Sequence, residues 1–94
     1  MNNKTIRVKL GSLFKISLDS NPTTGYQWEV NFNRDYIQLK SRNFVSSNSK
    51  LGGGGREHFS FKPLKLGKAT ITLQYMRSWE HKTIKKEKFI IEII

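Results

Sequence analysis

Apolar side chains recur at every second position along the chain, turn residues interrupt them at short intervals, and no window shows helical periodicity. These three observations predict an all-β fold, because period two with β-branched and aromatic residues marks half-buried strands. About seven short strands at this spacing are the pattern of an immunoglobulin-like β-sandwich. The 94 residues fit a single domain over 1–94, with no internal repeat or linker.

The strands follow in order. Ile6, Val8 and Leu10 alternate with Arg7 and Lys9, and Phe14, Ile16 and Leu18 alternate with Lys15 and Ser17. Tyr26, Trp28, Val30 and Phe32 form a third run, in which Trp28 is the natural aromatic to lie between two sheets. Ile37 and Leu39, then Phe59 and Phe61, then Ala69, Ile71, Leu73 and Tyr75, and finally Phe89, Ile91 and Ile93 complete the series. Gly11-Ser12, Asn21-Pro22 with Gly25, Asn33-Arg34-Asp35, the glycine run and Leu66-Gly67 supply the turns. Residues 40–56 are polar and glycine-rich and read as irregular. The last strand is partly apolar on both faces, so it is expected to be central or covered rather than an open edge.

The chain has no cysteine, which excludes disulfides, a cysteine nucleophile and thiolate metal ligands. His58 and His81 stand alone, too few for a zinc site, so no metal and no cofactor are expected. The acids are scattered, with Asp19 and Asp35 beside turns, and no Ser-His-Asp order with a nucleophile elbow occurs. The chain reads as a binder and not an enzyme. Seventeen lysines and arginines against seven acids give a formal charge of +10, a field that favours acidic partners and also serves solubility. No apolar stretch approaches the roughly 20 residues of a membrane span, and no membrane partner is expected. Charges run through residues 1–18 without an apolar core, so no signal peptide is expected within this chain, which leaves open a cytoplasmic site or a removed leader.

Three loop segments are wrong in composition for a core. In Asn21-Pro22-Thr23-Thr24-Gly25, proline fixes φ and glycine permits a positive φ, which gives either an ordinary turn or a rigid wedge tipped by two threonines. Leu51 with Gly52-Gly53-Gly54-Gly55 is either a flexible linker or bare backbone for close approach to another surface. It is not a phosphate-cradling loop, since no Gly-Lys-Ser/Thr follows and Arg56-Glu57 opens a strand. Arg77-Ser78-Trp79 offers an indole beside a guanidinium, the composition of a binding hot spot, unless the indole folds back onto the sandwich. Lys82, Lys85, Lys86 and Lys88 form a basic run that reads as a solvated face or, with Trp79 and Tyr75, as a strip for single-stranded nucleic acid. If seven strands alternate in direction, every second connection lies at one end, and the second, fourth and sixth connections hold these three segments. This parity requires Phe44-Val45 to continue the fourth strand or lie in its loop.

In that chain order the three segments resemble the loops of the chagasin-type inhibitors of papain-family cysteine peptidases, whose patterns are NPTTG, GxGG and RPW. The resemblance also takes in Tyr26-Gln27-Trp28, Glu57-His58-Phe59 and Tyr75-Met76, and in rough spacing it covers most of the chain. Ser78 departs from it, standing where the family usually has proline, which predicts a less stiff loop with a larger ordering cost on binding. The resemblance implies a reversible, non-covalent inhibitor of papain-like, cathepsin L-type peptidases that occludes the cleft with three loops; for a one-to-one inhibitor a monomer is the simpler expectation. It places Thr23 nearest the enzyme's catalytic cysteine with Thr24 beside it. It lays the glycine stretch along the substrate cleft, where Leu51 adds an apolar contact, and sets Trp79 on the primed side. The expected peptidase-binding residues are therefore Asn21, Pro22, Thr23, Thr24, Gly25, Leu51, Gly52, Gly53, Gly54, Gly55, Arg77 and Trp79. The rival from another class is a basic β-sandwich module that binds nucleic acid or an acidic protein surface.

Overall fold

The computed structural model describes residues 3–46 and 54–94. Seven strands follow one another: β1 (Asn3–Val8), β2 (Phe14–Ser20), β3 (Tyr26–Phe32), β4 (Ile37–Ser46), β5 (Gly55–Pro63), β6 (Gly67–Arg77) and β7 (Thr83–Ile93). They form a four-stranded sheet in the order β1-β7-β6-β3 and a three-stranded sheet in the order β2-β5-β4. All pairings are antiparallel except that of β1 with β7. The final strand thus lies between β1 and β6, where both its edges are paired and Phe89, Ile91 and Ile93 are buried.

The period-two pattern becomes the core. Ile16, Trp28, Phe59, Phe61, Ile71, Leu73 and Ile91 turn inward and are buried, while Lys15, Glu29 and Lys62 alternate with them. Each large side chain removed from water in this way contributes about 1.5–3 kcal/mol. Phe61 sits at the centre of an aromatic cluster, 5.5 Å from Phe14, 5.7 Å from Phe32 and 6.4 Å from Phe59 between ring centroids. Trp28 occupies the inter-sheet position expected of it, with its ring 4.7 Å from that of Tyr75 and its Nε1–H donated to the Asp19 carbonyl at 3.0 Å. That bond ties β3 of one sheet to β2 of the other.

Residues 40–46, expected to be irregular, instead extend β4, and residues 55–56 begin β5. Strand β4 pairs with β5 as far as Gly55, across a β-bulge. The pairing of β4 with β5 shifts between Leu39 and Ser41, so Lys40 has no partner and the alternation changes phase. Beyond the bulge Arg42 pairs with Phe59 and Phe44 with Glu57. The Arg42 guanidinium lies 4.8 Å from the Phe59 ring centroid, donates to Glu57 Oε2 at 2.9 Å and reaches the Trp28 carbonyl at 3.1 Å. It closes the side of the sandwich where edge strands β3 and β4 face each other. The glycine run ends in a close approach: a Cβ on Gly55 would collide with the Val45 carbonyl oxygen and lie 2.8 Å from the Phe44 ring. No larger residue fits there without moving β4 from β5.

Strand direction alternates throughout, so the connections divide between two poles. At one pole the Gly11 amide donates to the Pro63 carbonyl (3.1 Å) and the Leu64 amide to the Tyr36 carbonyl (2.7 Å), which joins the first, third and fifth connections. The second and sixth connections, and Gly54 at the end of the fourth, gather at the other pole.

Candidate functional site

The first segment of this second pole is a single 3-10 turn, Pro22–Thr24, between β2 and β3. Asn21 caps it. Its Oδ1 accepts from the Thr23 amide at 3.3 Å and from Thr23 Oγ1 at 2.6 Å, and its carbonyl accepts from Thr24 Oγ1 at 2.7 Å and the Thr24 amide at 3.2 Å. Proline at the first position fits the turn because its missing N–H has no partner to lose. Gly25 ends the turn at φ +84°, a left-handed conformation that glycine adopts without strain, and its amide returns to the Pro22 carbonyl at 3.1 Å. The turn is anchored from below by Tyr75, whose hydroxyl accepts the Asn21 amide at 2.8 Å. Tyr75 in turn is stacked on Tyr26 at 5.3 Å. Thr23 and Thr24 are left exposed at the tip.

The third segment follows β6. Arg77, its last residue, donates from Nε to the Thr24 carbonyl at 3.0 Å, lies 4.4 Å from the Tyr26 ring centroid and 5.9 Å from the Trp79 ring, and pairs with Glu80 Oε2 at 3.4 Å. Trp79 is 66% exposed, so the indole does not fold into the core. It rests instead across Gly25: a Cβ at that glycine would stand 2.6 Å from the edge of the indole ring. The bare Cα of Gly25 therefore serves two ends, the turn's positive φ and the seat of the tryptophan. Ser78, where stiffness from proline is missing, lies within a tight turn in which the Glu80 amide donates to the Arg77 carbonyl at 3.1 Å.

Of the glycine segment, Leu51, Gly52 and Gly53 lie outside the described residues. Gly54 and Gly55 lie at the same pole, where Gly55 pairs with Ser20 at the end of β2 and with Ser46 at the end of β4. Gly54, Gly55, Asn21, Thr24, Tyr75 and Ile84 share one shallow concavity of about 640 Å³.

Asn21, Pro22, Thr23, Thr24, Gly25, Gly54, Gly55, Arg77 and Trp79 thus stand at one end of the sandwich. Their parts differ. Thr23, Thr24 and Trp79 face outward, whereas Asn21, Gly25 and Arg77 are engaged with their neighbours. Sequence reasoning passed over Tyr75 as a support of this end, since its place in the alternation marks it as core and gives no sign that its hydroxyl reaches a loop. Ile84, at the start of β7, was missed because it follows the loop rather than belongs to it, and Lys85 was read only as part of a basic run. Among the described residues no cluster of three or more histidine or acidic side chains could hold a metal ion.

A stiff sandwich that gathers alternate loops into one threonine- and indole-tipped rim is a scaffold for binding another macromolecule. The chain belongs to the chagasin family of peptidase inhibitors: the model of that family, described as chagasin family peptidase inhibitor I42, matches residues 7–93. It is an inhibitor and not an enzyme. It is 32% identical over 96 residues to chagasin of Trypanosoma cruzi, covering 96% of this chain and 87% of that protein. Its structure superposes on the cysteine protease inhibitor EhICP2 of Entamoeba histolytica with a TM-score of 0.84 at 28% identity, over 96% of this chain and 85% of that one. PbICP-C, solved in complex with falcipain-2, shares the fold with a TM-score of 0.66 at 22% identity, over 98% and 88% of the two chains.

Proposed function

We propose that this rim blocks the substrate cleft of papain-like cysteine peptidases, with the Thr23–Thr24 tip over the catalytic cysteine, Trp79 on one flank and the glycine segment on the other. The reading rests above all on one observation: an indole that is 66% exposed is seated on the same turn that carries the threonines. Its position is fixed before any partner arrives, so little ordering entropy is lost on binding. Three such contacts bury about 1,600 Å² in all, the usual size for a protease–inhibitor complex.

Inhibition without cleavage follows from the shape of the tip. A peptide bond is attacked when its carbonyl carbon is open to the nucleophile and its oxygen to an oxyanion hole. Here the Asn21, Pro22 and Thr24 carbonyls already accept hydrogen bonds from Thr24, Gly25 and Arg77 respectively. The tip is a closed 3-10 turn, not an extended strand, and no covalent step is needed to hold it.

The test is a titration of papain and a cathepsin L-type peptidase, with trypsin as control. Stoichiometric, reversible loss of activity in the first two and none in trypsin is the expected outcome, and mass spectrometry of the recovered chain is expected to show residues 21–26 intact. Inhibitor cleaved in step with the enzyme would refute occlusion by a closed turn.

A further inference from the structure

We propose that residues 82–86, where β7 begins, form a fourth contact segment of the rim, and that the flank of the peptidase it meets is acidic. The inference rests on the inhibitor reading above and adds to it a site and a partner chemistry.

Three acids at this pole are already paired with arginines, and Glu87, which lines a hollow with Lys85, is the acid nearest the lysines. Asp19 pairs with Arg56 at 2.7 Å, Glu57 with Arg42 at 2.9 Å and Glu80 with Arg77 at 3.4 Å. Lys82, Lys85 and Lys86 are exposed and form no ion pair among the described residues. The Lys85 ammonium has instead the Tyr75 ring, at 5.9 Å from its centroid. The formal charge of +10 is therefore expressed at the rim as a local surplus of lysine directly beside the Trp79 turn.

Ile84 stands in the middle of this surplus and is 45% exposed, although a large apolar side chain between lysines gains nothing from water. Ile84 and Lys85 line the concavity that Thr24, Gly54 and Gly55 also line. A target seated on the threonine tip and the glycine segment thus lies against both. The surface has an apolar floor and a cationic wall, which fits an apolar side chain flanked by carboxylates. Unpaired charges at a rim act mainly on the rate of encounter, and a buried apolar contact acts mainly on dissociation.

Stopped-flow association with a cathepsin L-type peptidase of net negative charge separates the two parts. The K82Q/K85Q/K86Q variant is expected to associate about tenfold more slowly at low salt, with the difference fading as salt rises and dissociation changed by less than about twofold. Ile84→Ser is expected to dissociate about threefold faster or more at an unchanged association rate. Circular dichroism and thermal unfolding of both variants check that the sandwich is intact, which is expected because all four side chains are exposed. An unchanged association rate in the triple variant overturns the acidic-flank assignment, and an unchanged dissociation rate in Ile84→Ser overturns the fourth contact. Failure of the parent chain to inhibit any papain-like peptidase is a different result, which overturns the inhibitor reading and this inference together.

Discussion

The turn at 21–25 and the turn at 78–82 meet at the same rim but are held in different ways. The first is braced from within: Asn21 accepts hydrogen bonds from both threonines, proline presets the backbone, and Gly25 closes the ring. The second has one internal backbone bond at Glu80, another at Lys82, and a single side chain, Arg77, that links it to its neighbour. Local residues therefore determine the first turn, whereas the second depends on the first for its position. That dependence offsets the absence of proline at 78: the Arg77 guanidinium and the seat on Gly25 supply an external restraint where a ring would have supplied an internal one.

Removing what the second turn presents is expected to have the largest effect. Trp79→Ala is predicted to raise the inhibition constant by a factor equivalent to about 2 kcal/mol or more, since a rim tryptophan of this exposure is a typical hot spot. A change of less than about threefold would take Trp79 out of the interface. Next comes the link itself. Arg77→Ala removes the bond to Thr24 and the contact with Tyr26, and is predicted to weaken inhibition by about 1–2 kcal/mol. Because Arg77 acts through Thr24 and Trp79, the double variant Arg77→Ala/Trp79→Ala is predicted to lose less than the sum of the two single losses; strict additivity in the cycle would show that Arg77 touches the peptidase on its own account. Asn21→Ala strips the cap and is predicted to cost about 1 kcal/mol of folding stability, read by denaturant unfolding, with inhibition weakened in parallel. Loss of inhibition without loss of stability would show instead that Asn21 is a contact residue. The smallest effect is expected from Ser78→Pro, predicted to slow dissociation by no more than about threefold, because the Arg77 link already restrains the turn. An improvement of tenfold or more would mean that the link is loose in solution.

The same contrast explains how far the sequence could be read. Wherever structure follows from local chemistry it was legible. The alternation of Ile16, Trp28, Ile71 and Ile91 located the strands and the core, and Asn-Pro-Thr-Thr-Gly announced a shaped turn before any strand was placed. The alternating strand directions were enough to put the second and sixth connections at one pole. What depends on long-range register was hidden. Residues 41–46 carry no apolar alternation because all of them are exposed, and the bulge shifts their phase relative to Ile37 and Leu39. The sequence shows Arg77 as a guanidinium next to an indole but not the carbonyl 53 positions earlier that it also holds. For Gly55 the sequence left open a flexible linker or bare backbone for close approach, and the nearness of the Val45 carbonyl, which excludes any side chain there, is a property of two strands and not of one.

The bulge in β4 has a consequence for how this fold can vary. Lys40 is the spare member of its strand: Leu39 keeps Phe61 as partner and Ser41 keeps Ser60 whether or not a residue stands between them. The strand is in effect a splice of two pieces whose inward and outward positions are set independently. A change of length by one residue at the joint therefore leaves Ile37 and Leu39 in the core on one side and Arg42 against Phe59 on the other.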